Sequence, residues 1–205
     1  MAAPKPVHYE DLDQALAHAW GLLREAVTKR DSPLRTPALA TRGRDGAPAA
    51  RTVILRAVDP ERRIMCIHTD ARSAKVEEIA AEPRVTMLFH HPGENIQLRA
   101  TGTARVRRNA EQDRTAWDAT VPPVRRAYMG EAAPGQPSAQ PTGGFPAEFI
   151  GRLPTREESE SAFRNFAVIE VAVARLEWLY LNPDGHRRAA FAWTGGARTA
   201  TWIVP

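Results

Sequence analysis

Hydroxyl and basic side chains are concentrated in one short segment, residues 69–75, whose sequence is TDARSAK. Thr69 and Ser73 contribute hydroxyls, and Arg72 and Lys75 contribute positive charge. An apolar strand pattern ends here and a helical pattern begins, so free N–H groups and the helix dipole are expected at the same point. The segment therefore predicts an anion site of the kind that holds a phosphate. The alternative is an N-capped surface helix with solvated cations.

A second basic motif lies just upstream, at residues 51–56, with the sequence RTVILR. If these residues form one strand, the two faces alternate. The first face then carries Arg51, Val53 and Leu55, and the second carries Thr52, Ile54 and Arg56. An arginine on each face means that one of them lies on a face that is otherwise core, which favours a ligand contact. The alternative is that both lie near strand ends and extend to water.

Three further positions could contact a planar ligand. The Gln97 amide both donates and accepts hydrogen bonds, as the edge of a heteroaromatic ring requires. Trp178 could pack against such a ring, and Arg188 could hold an anion. Alternatively, Gln97 faces solvent and Trp178 lies in the core. His186, which lies between Trp178 and Arg188 beside the Pro183-Asp184-Gly185 sequence, is then an ordinary turn residue.

Composition excludes several classes of protein. With 205 residues, 43% of them hydrophobic and 25% charged, the chain fits one soluble domain, residues 1–205, with a sizeable core. Cys66 is the only cysteine, so an intrachain disulfide and a multi-cysteine metal site are excluded. The chain has no long apolar run and has acidic residues near its start, so we expect a cytoplasmic protein that does not enter membranes.

The net charge of +4 and pI near 9.7 do not predict nucleic-acid binding, because the arginines are spread along the chain. The sequence also contains no Walker loop, serine-hydrolase elbow, HExxH helix or dinucleotide-binding glycine motif. His90 and His91 are neighbours on a predicted strand and point to opposite faces, so no metal site is expected.

Hydrophobic periodicity predicts a mainly β protein with peripheral helices, arranged as an antiparallel barrel. Helices are expected at about residues 9–29, 73–81 and 109–117, the last capped by Asn109. Strands are expected at 37–41, 49–58, 63–69, 84–90, 96–106, 166–181, 188–193 and 199–204. Residues 155–158 read as a capping box. Residues 130–147 are rich in Gly, Pro, Ser and Gln, which predicts a flexible loop that could act as a lid.

The order and spacing of these motifs resemble the pyridoxamine 5'-phosphate oxidase family, a group of FMN-binding split barrels. The resemblance is carried by RxVxLR at residues 51–56, TxxxSxK at 69–75, ExxxxPRV at 78–85, QLRxxG at 97–102 and W-x(7)-H-x-R at 178–188. It implies a split β-barrel that binds FMN at a homodimer interface.

The resemblance also implies a role for each matching residue. Arg51, Ser73 and Lys75 would hold the FMN phosphate, and Arg72 would replace the basic residue that the family has at Ala74. Gln97 would face the isoalloxazine ring, and Trp178 and Arg188 would come from the partner subunit. The remaining cofactor contacts would be Thr52, Val53, Ile54, Leu55, Arg56, His68 and Thr69. Arg56 and His186 would contact the substrate.

The implied activity is FMN-dependent oxidation, with hydride transfer from a small substrate to the flavin. Around residues 117–125, none of the Tyr, Arg and Ser residues that hold the substrate phosphate in the family is found in register, so a substrate other than a vitamin B6 phosphate is expected. One alternative is a flavin-binding or sensing module without turnover. Another is a split barrel that binds deazaflavin, or haem through an axial histidine such as His68, His90 or His91.

Overall fold

The structure is a computed structural model that describes residues 9–108 and 111–205. The described chain is mainly antiparallel β-sheet with few helices, as predicted. Its helices are α1 (Leu12–Thr28), α2 (Ala74–Ala81), α3 (Glu111–Ala119) and α4 (Pro122–Arg125). Its strands are β1 (Ala38–Arg42), β2 (Pro48–Thr52), β3 (Leu55–Asp59), β4 (Ile64–Asp70), β5 (Arg84–His91), β6 (Ile96–Arg107), β7 (Phe166–Tyr180), β8 (Arg187–Thr194) and β9 (Ala197–Trp202). Asn109, the predicted cap, lies outside the described residues.

Strand β7 organises the sheet, whose order is β2-β1-β5-β6-β7-β4-β3, with β8 beside β7 and β9 beside β8. The first half of β7 pairs with β4, the second half pairs with β8, and β6 runs along the other side. The β6–β7 register shifts at Gly102. A side chain there would begin 1.9 Å from the Ala172 carbonyl oxygen, so only glycine allows this close approach.

The prediction of one strand over residues 49–58 is wrong, because the structure has two strands there. Strand β2 ends at Thr52 and pairs with β1, whereas β3 begins at Leu55 and pairs with β4. The chain therefore leaves one end of the strand order and joins the other at residues 53–54. Alternating burial persists through this corner, with Val53 8% and Ile54 41% exposed. As a result, the two arginines of the motif lie on different strands.

Helix α1 closes one side of the core, as its periodicity predicts. The Asp11 side chain accepts a hydrogen bond from the Gln14 N–H at 2.8 Å and caps the first turn. Its buried residues are Ala15, Leu16, Ala19, Trp20, Leu23 and Ala26. Leu23 is fully buried in the main core, so truncating it to alanine should destabilise the fold by about 2–5 kcal/mol. No described helix is both long and apolar enough to span a bilayer.

The connection between α4 and β7 contains little regular structure. The capping box is confirmed: Thr155 N–H donates to Glu158 Oε2 at 2.7 Å, and Glu158 N–H donates to Thr155 Oγ1 at 3.1 Å. It opens a turn followed by a 3₁₀ segment, Glu160–Asn165, rather than an α-helix. Residues 129–146 contain no helix or strand. Their flexibility stays a prediction.

Candidate functional site

Three of the predicted phosphate-binding residues form one cluster where β4 ends and α2 begins. The Lys75 ammonium donates to Thr69 Oγ1 at 3.1 Å and to Ser73 Oγ at 3.0 Å. The two hydroxyl oxygens are 3.1 Å apart. No described carboxylate forms an ion pair with Lys75, and both hydroxyl residues are almost fully buried. Within the described residues, the positive charge of Lys75 is therefore not neutralised by an ion pair.

Arg51 adds a second cation to this cluster. Its Nη2 donates to Glu78 Oε2 at 2.7 Å, and its Nη1 donates to the Thr41 hydroxyl. Glu78 is buried and also accepts from Thr41 at 2.6 Å, so it fixes the arginine in one orientation. Burial, and after it the nearby charge of Arg51, lowers the pKa of Lys75. The two cations are thus close enough to repel each other, which a bound anion would relieve.

Arg72 is placed differently from the prediction. Its guanidinium makes a bidentate pair with Asp70, with Nε–Oδ1 and Nη2–Oδ2 distances of 3.0 and 2.7 Å. Its Nη1 donates to the Glu131 carbonyl oxygen at 2.9 Å. These bonds direct Arg72 to its own turn and to the loop after α4, whereas Lys75 binds the hydroxyl cluster.

A cavity of about 790 Å³ lies beside the cluster, within the size range of small-molecule sites. Strands β3 and β4 form its floor, the chain after α1 forms one wall, and helices α3 and α4 cover it. Its lining residues are Arg30, Arg35, Ile54, Arg56, Ala57, Cys66, His68, Arg107, Ala116, Ala119, Thr120, Val121, Pro123, Val124 and Val168. His68 faces the cavity and the next residue, Thr69, belongs to the hydroxyl cluster, so the two features lie near one strand end on opposite faces of β4.

Two polar atoms in the cavity wall have no partner among the described residues. Arg56 Nε and His68 Nδ1 are both buried without a hydrogen bond. Burial, followed by the charge of Arg56, lowers the pKa of His68 to about 4, so its imidazole is neutral near pH 7. An unpaired buried donor or acceptor destabilises a fold by about 1–3 kcal/mol. Both atoms are therefore available to a polar group that enters the cavity.

A buried arginine holds the cover of the cavity in place. Arg125 is 2% exposed, and its guanidinium donates to the carbonyl oxygens of Thr120 and Trp117 at 2.9 and 2.8 Å. The same group stacks 4.4 Å from the Trp117 ring centroid and pairs with Glu160. These contacts tie α3 and α4 to each other and to the segment before β7.

Gln97 and Arg188 lie on another part of the molecule, the outer face of β6, β7 and β8. Gln97 pairs in register with Leu179, and Leu179 pairs with Arg188, so the three side chains share a face. Arg188 donates to Glu177 Oε2 at 2.6 Å. Neither Gln97 nor Arg188 is bonded to the hydroxyl cluster within the described chain.

Glu177 is the centre of a charge cluster on this outer face. It accepts hydrogen bonds from three arginines, Arg99, Arg175 and Arg188. Burial raises the pKa of the carboxyl, but the three hydrogen bonds outweigh this effect and hold the pKa at about 2. The group carries a net surplus of positive charge on an exposed sheet surface.

The other predicted contacts divide between core and surface. Trp178 is fully buried on the opposite face of β7, with its ring centroid 5.7 Å from that of Tyr9 and 6.5 Å from that of Trp202. Val53 and Leu55 are also buried, whereas Thr52 is exposed. His186 is exposed in the turn before β8, where its Nδ1 accepts from the Asn182 N–H at 3.0 Å. It does not line the cavity.

Sequence reasoning missed several residues of this region. Cys66 lies two positions before His68 on β4, so strand alternation could have placed it on the same face. Glu78 lies inside the ExxxxPRV motif, but its bond to Arg51 spans 27 positions in the chain and has no local signal. Arg35 enters the cavity through tertiary folding alone.

Part of the chain is similar to proteins of a known family. Residues 17–108 match the family model described as pyridoxamine 5'-phosphate oxidase, FMN-binding domain. A pyridoxine/pyridoxamine 5'-phosphate oxidase of Caulobacter vibrioides is 33% identical over 112 residues, which cover 55% of this chain and 49% of the relative. The chain thus spans about half the length of the curated relatives that it matches.

Two solved structures have the same fold over the whole chain. One is a pyridoxamine 5'-phosphate oxidase-related, FMN-binding protein from Nostoc punctiforme, with a TM-score of 0.73 and 21% identity, covering all of both chains. The other is PhzG from Burkholderia lata 383, with a TM-score of 0.68 and 18% identity, covering 100% of this chain and 99% of that one. They confirm the split-barrel expectation, and the family model confirms FMN as the cofactor of the domain. Residues 17–108 thus match the FMN-binding domain of the pyridoxamine 5'-phosphate oxidase family, and the chain as a whole has the fold of the two solved structures.

Proposed function

We propose that this protein is an FMN-dependent oxidoreductase whose FMN phosphate binds at the cluster of Arg51, Thr69, Ser73 and Lys75. The observation that carries the proposal is the uncompensated charge of Lys75, which is held between two buried hydroxyls. A phosphate would accept hydrogen bonds from the ammonium, the hydroxyls and the first N–H groups of α2. Glu78 positions Arg51 for the same anion.

The cavity beside this cluster suits the flavin ring. Ile54 offers an exposed apolar surface, and Arg56 and His68 offer polar atoms that lack partners. Bound FMN would supply the redox chemistry by accepting a hydride from a small substrate. The neutral His68 would supply one donor and one acceptor to the ring edge, and Arg56 would contact the substrate beside the flavin. Helices α3 and α4 would exclude water from the cavity.

The proposal includes a homodimer, because two of the expected cofactor contacts lie on the outer face of the sheet. Gln97 and Arg188 share this face with Leu88, a large apolar side chain that is 40% exposed. A second copy packed against this face would bury Leu88 and bring Gln97 and Arg188 to the other subunit's FMN. Trp178 would then support β7 from the core side, behind Leu179.

The nature of the substrate is also a proposal. The curated relative is named for pyridoxine and pyridoxamine 5'-phosphate, and the solved PhzG structure contains tetrahydrophenazine-1-carboxylic acid. Both names describe a ring that bears an oxyanion group, and an arginine-lined cavity with an apolar floor suits such molecules. We therefore expect the substrate to be a small cyclic compound with a carboxylate or phosphate.

A turnover screen tests the proposed activity. The FMN-loaded protein would be mixed without oxygen with pyridoxine and pyridoxamine 5'-phosphate and with cyclic carboxylic acids. Loss of the visible flavin absorption with one of them, followed by steady product formation when oxygen is admitted, would support the oxidoreductase. Bound flavin that none of these donors reduces would favour the alternative, a flavin-binding or sensing module without turnover.

A further inference from the structure

We propose that Arg35 determines substrate specificity, by binding together with Arg56 the oxyanion group of a ring-shaped substrate in the cavity. The inference rests on the proposed function, because it places the substrate next to the flavin. It goes further by assigning the anion contact to Arg35, which lies between α1 and β1 and outside the motifs identified in the sequence.

The first support is the charge balance of the cavity wall. The wall contains four arginines, and no acidic side chain of the described chain lines it. These arginines are Arg30, Arg35, Arg56 and Arg107. Arg107 is neutralised, since it lies 3.4 Å from Glu170 and 3.6 Å from Asp113. The other three form no ion pair with a described carboxylate. A cavity with three unpaired arginines is a site for an anion.

The second support is the way in which Arg35 is held. Its Nη1 donates to the carbonyl oxygens of Val27 and Ala26 at 2.6 and 3.3 Å, where α1 ends. These bonds fix the guanidinium and use only one of its nitrogens. An arginine has five N–H donors in a planar fork, so Nε and Nη2 remain for a bidentate contact with a carboxylate or phosphate.

The third support is the relation between Arg35 and Arg56. Both guanidiniums line the same cavity, and the charge of Arg35, after burial, lowers the pKa of Arg56. Arg56 also has a buried Nε without a partner among the described residues. One oxyanion between them would satisfy that nitrogen and cancel the repulsion.

The rest of the wall defines the body of the ligand. Most of the other lining side chains are apolar: Ile54, Ala57, Ala116, Ala119, Val121, Pro123, Val124 and Val168. An apolar cavity with a pair of cations at one side selects a flat hydrocarbon or heterocyclic ring that bears one oxyanion group. Carboxylates and phosphate esters share this chemistry.

The test compares three probes on the FMN-loaded protein: benzoate, phenyl phosphate and the neutral benzamide. Binding is followed by the change in the visible flavin spectrum, and FMN affinity is measured separately. We expect benzoate or phenyl phosphate to bind at least roughly tenfold more tightly than benzamide, and Arg35→Gln to remove roughly tenfold of that affinity. Arg24→Gln, on an exposed position of α1 outside the cavity, should change neither value.

Two further variants keep the test decisive. Arg35→Lys should restore part of the oxyanion affinity, and the exposed Arg30→Gln should weaken it without disturbing the end of α1 even if Arg35→Gln fails to fold. If phenyl phosphate binds more tightly than benzoate, the preferred oxyanion is a phosphate; if benzoate binds more tightly, it is a carboxylate. Equal affinity for benzamide, or unchanged oxyanion affinity in a folded Arg35→Gln variant, would overturn the inference, and so would unchanged affinity in Arg30→Gln if Arg35→Gln does not fold. Protein that binds no FMN would instead contradict the proposed function, and the probes would then be tested on the apoprotein by calorimetry.

Discussion

The Lys75 ammonium lies 3.1 Å from the Thr69 hydroxyl, and this contact joins the end of β4 to the first turn of α2. A lysine that is half-buried against hydroxyls, with no carboxylate partner in the described chain, is electrostatically unfavourable until an anion arrives. Arg51 increases the effect, because its charge lowers the pKa of Lys75. This geometry supports the proposed phosphate site, because its positive charge is already in place.

FMN affinity should depend on pH through Lys75. Its pKa is lowered from the usual 10.5, so the free protein loses this proton on the alkaline side at a lower pH than an ordinary lysine does. Affinity should therefore fall as pH rises from about 7 to about 10, since only the ammonium binds phosphate strongly. Fluorescence titration of FMN across this range measures the effect. Lys75→Arg stays charged, so a curve as steep as that of the wild type would contradict the assignment.

His68 should make the fold sensitive to mild acid. Its folded pKa of about 4 lies below the ordinary value of 6.5, so only the unfolded chain takes up a proton between these values. Stability should thus fall as pH falls from 6.5 towards 4, by up to about 3 kcal/mol. In His68→Phe this part of the loss should disappear. Urea unfolding at several pH values measures it.

A second histidine on a strand provides the control for that experiment. His90→Phe replaces an exposed imidazole on β5 and should keep the acid-dependent loss of the wild type. The interpretation fails if His68→Phe and the wild type lose the same free energy of unfolding between pH 6.5 and 4.

Glu177 should also make the fold sensitive to acid, at a lower pH than His68. Its folded pKa of about 2 is below the usual 4.5, so its contribution is full above pH 4.5 and is lost as pH falls towards 2. Glu177→Gln should destabilise the protein by about 1–3 kcal/mol at neutral pH and by progressively less in acid, because three arginines lose a charged acceptor. Chemical denaturation measures this, with the exposed Glu61→Gln as control. A difference that is constant down to pH 2 would refute it.

The outer face of β5 to β8 should form the dimer interface. Leu88→Glu introduces a charge at the exposed leucine next to Arg99, so it should lower the dimer fraction and the affinity for FMN together. Analytical ultracentrifugation gives the first value and FMN titration the second. Leu153→Glu alters a leucine that is 54% exposed in the connection before β7 and should change neither. A fully dimeric Leu88→Glu variant would place the interface elsewhere.

The clustering of the two hydroxyls with the lysine at the end of β4 could be predicted from the sequence, because it depends on a local pattern. Thr69, Ser73 and Lys75 lie within seven residues, and one strand-to-helix transition brings them together. The corner at residues 53–54 was not predictable from alternation, since burial continues to alternate while the strand changes partners. Only the sheet topology separates β2 from β3.

Three residues show why the sequence left some roles open and missed others. Arg72 was grouped with the phosphate ligands by charge, but Asp70, two residues away, offers it a closer bidentate partner. Trp178 was assigned to the cofactor by resemblance, and its alternation with Glu177 and Leu179 places it on the core side of β7. Arg35 reaches the cavity because α1 ends beside β3, which no local motif encodes.

The most direct test of the FMN site is a titration of the apoprotein with FMN, comparing the wild type with Lys75→Met and Lys29→Met. Lys29 is an exposed lysine that is paired with Glu25 at the end of α1, so its substitution matches the change in charge outside the site. We predict that Lys75→Met weakens FMN binding by roughly 10- to 100-fold, which corresponds to about 1.5–3 kcal/mol, and that Lys29→Met leaves it unchanged. Equal FMN affinity in all three proteins would contradict the account.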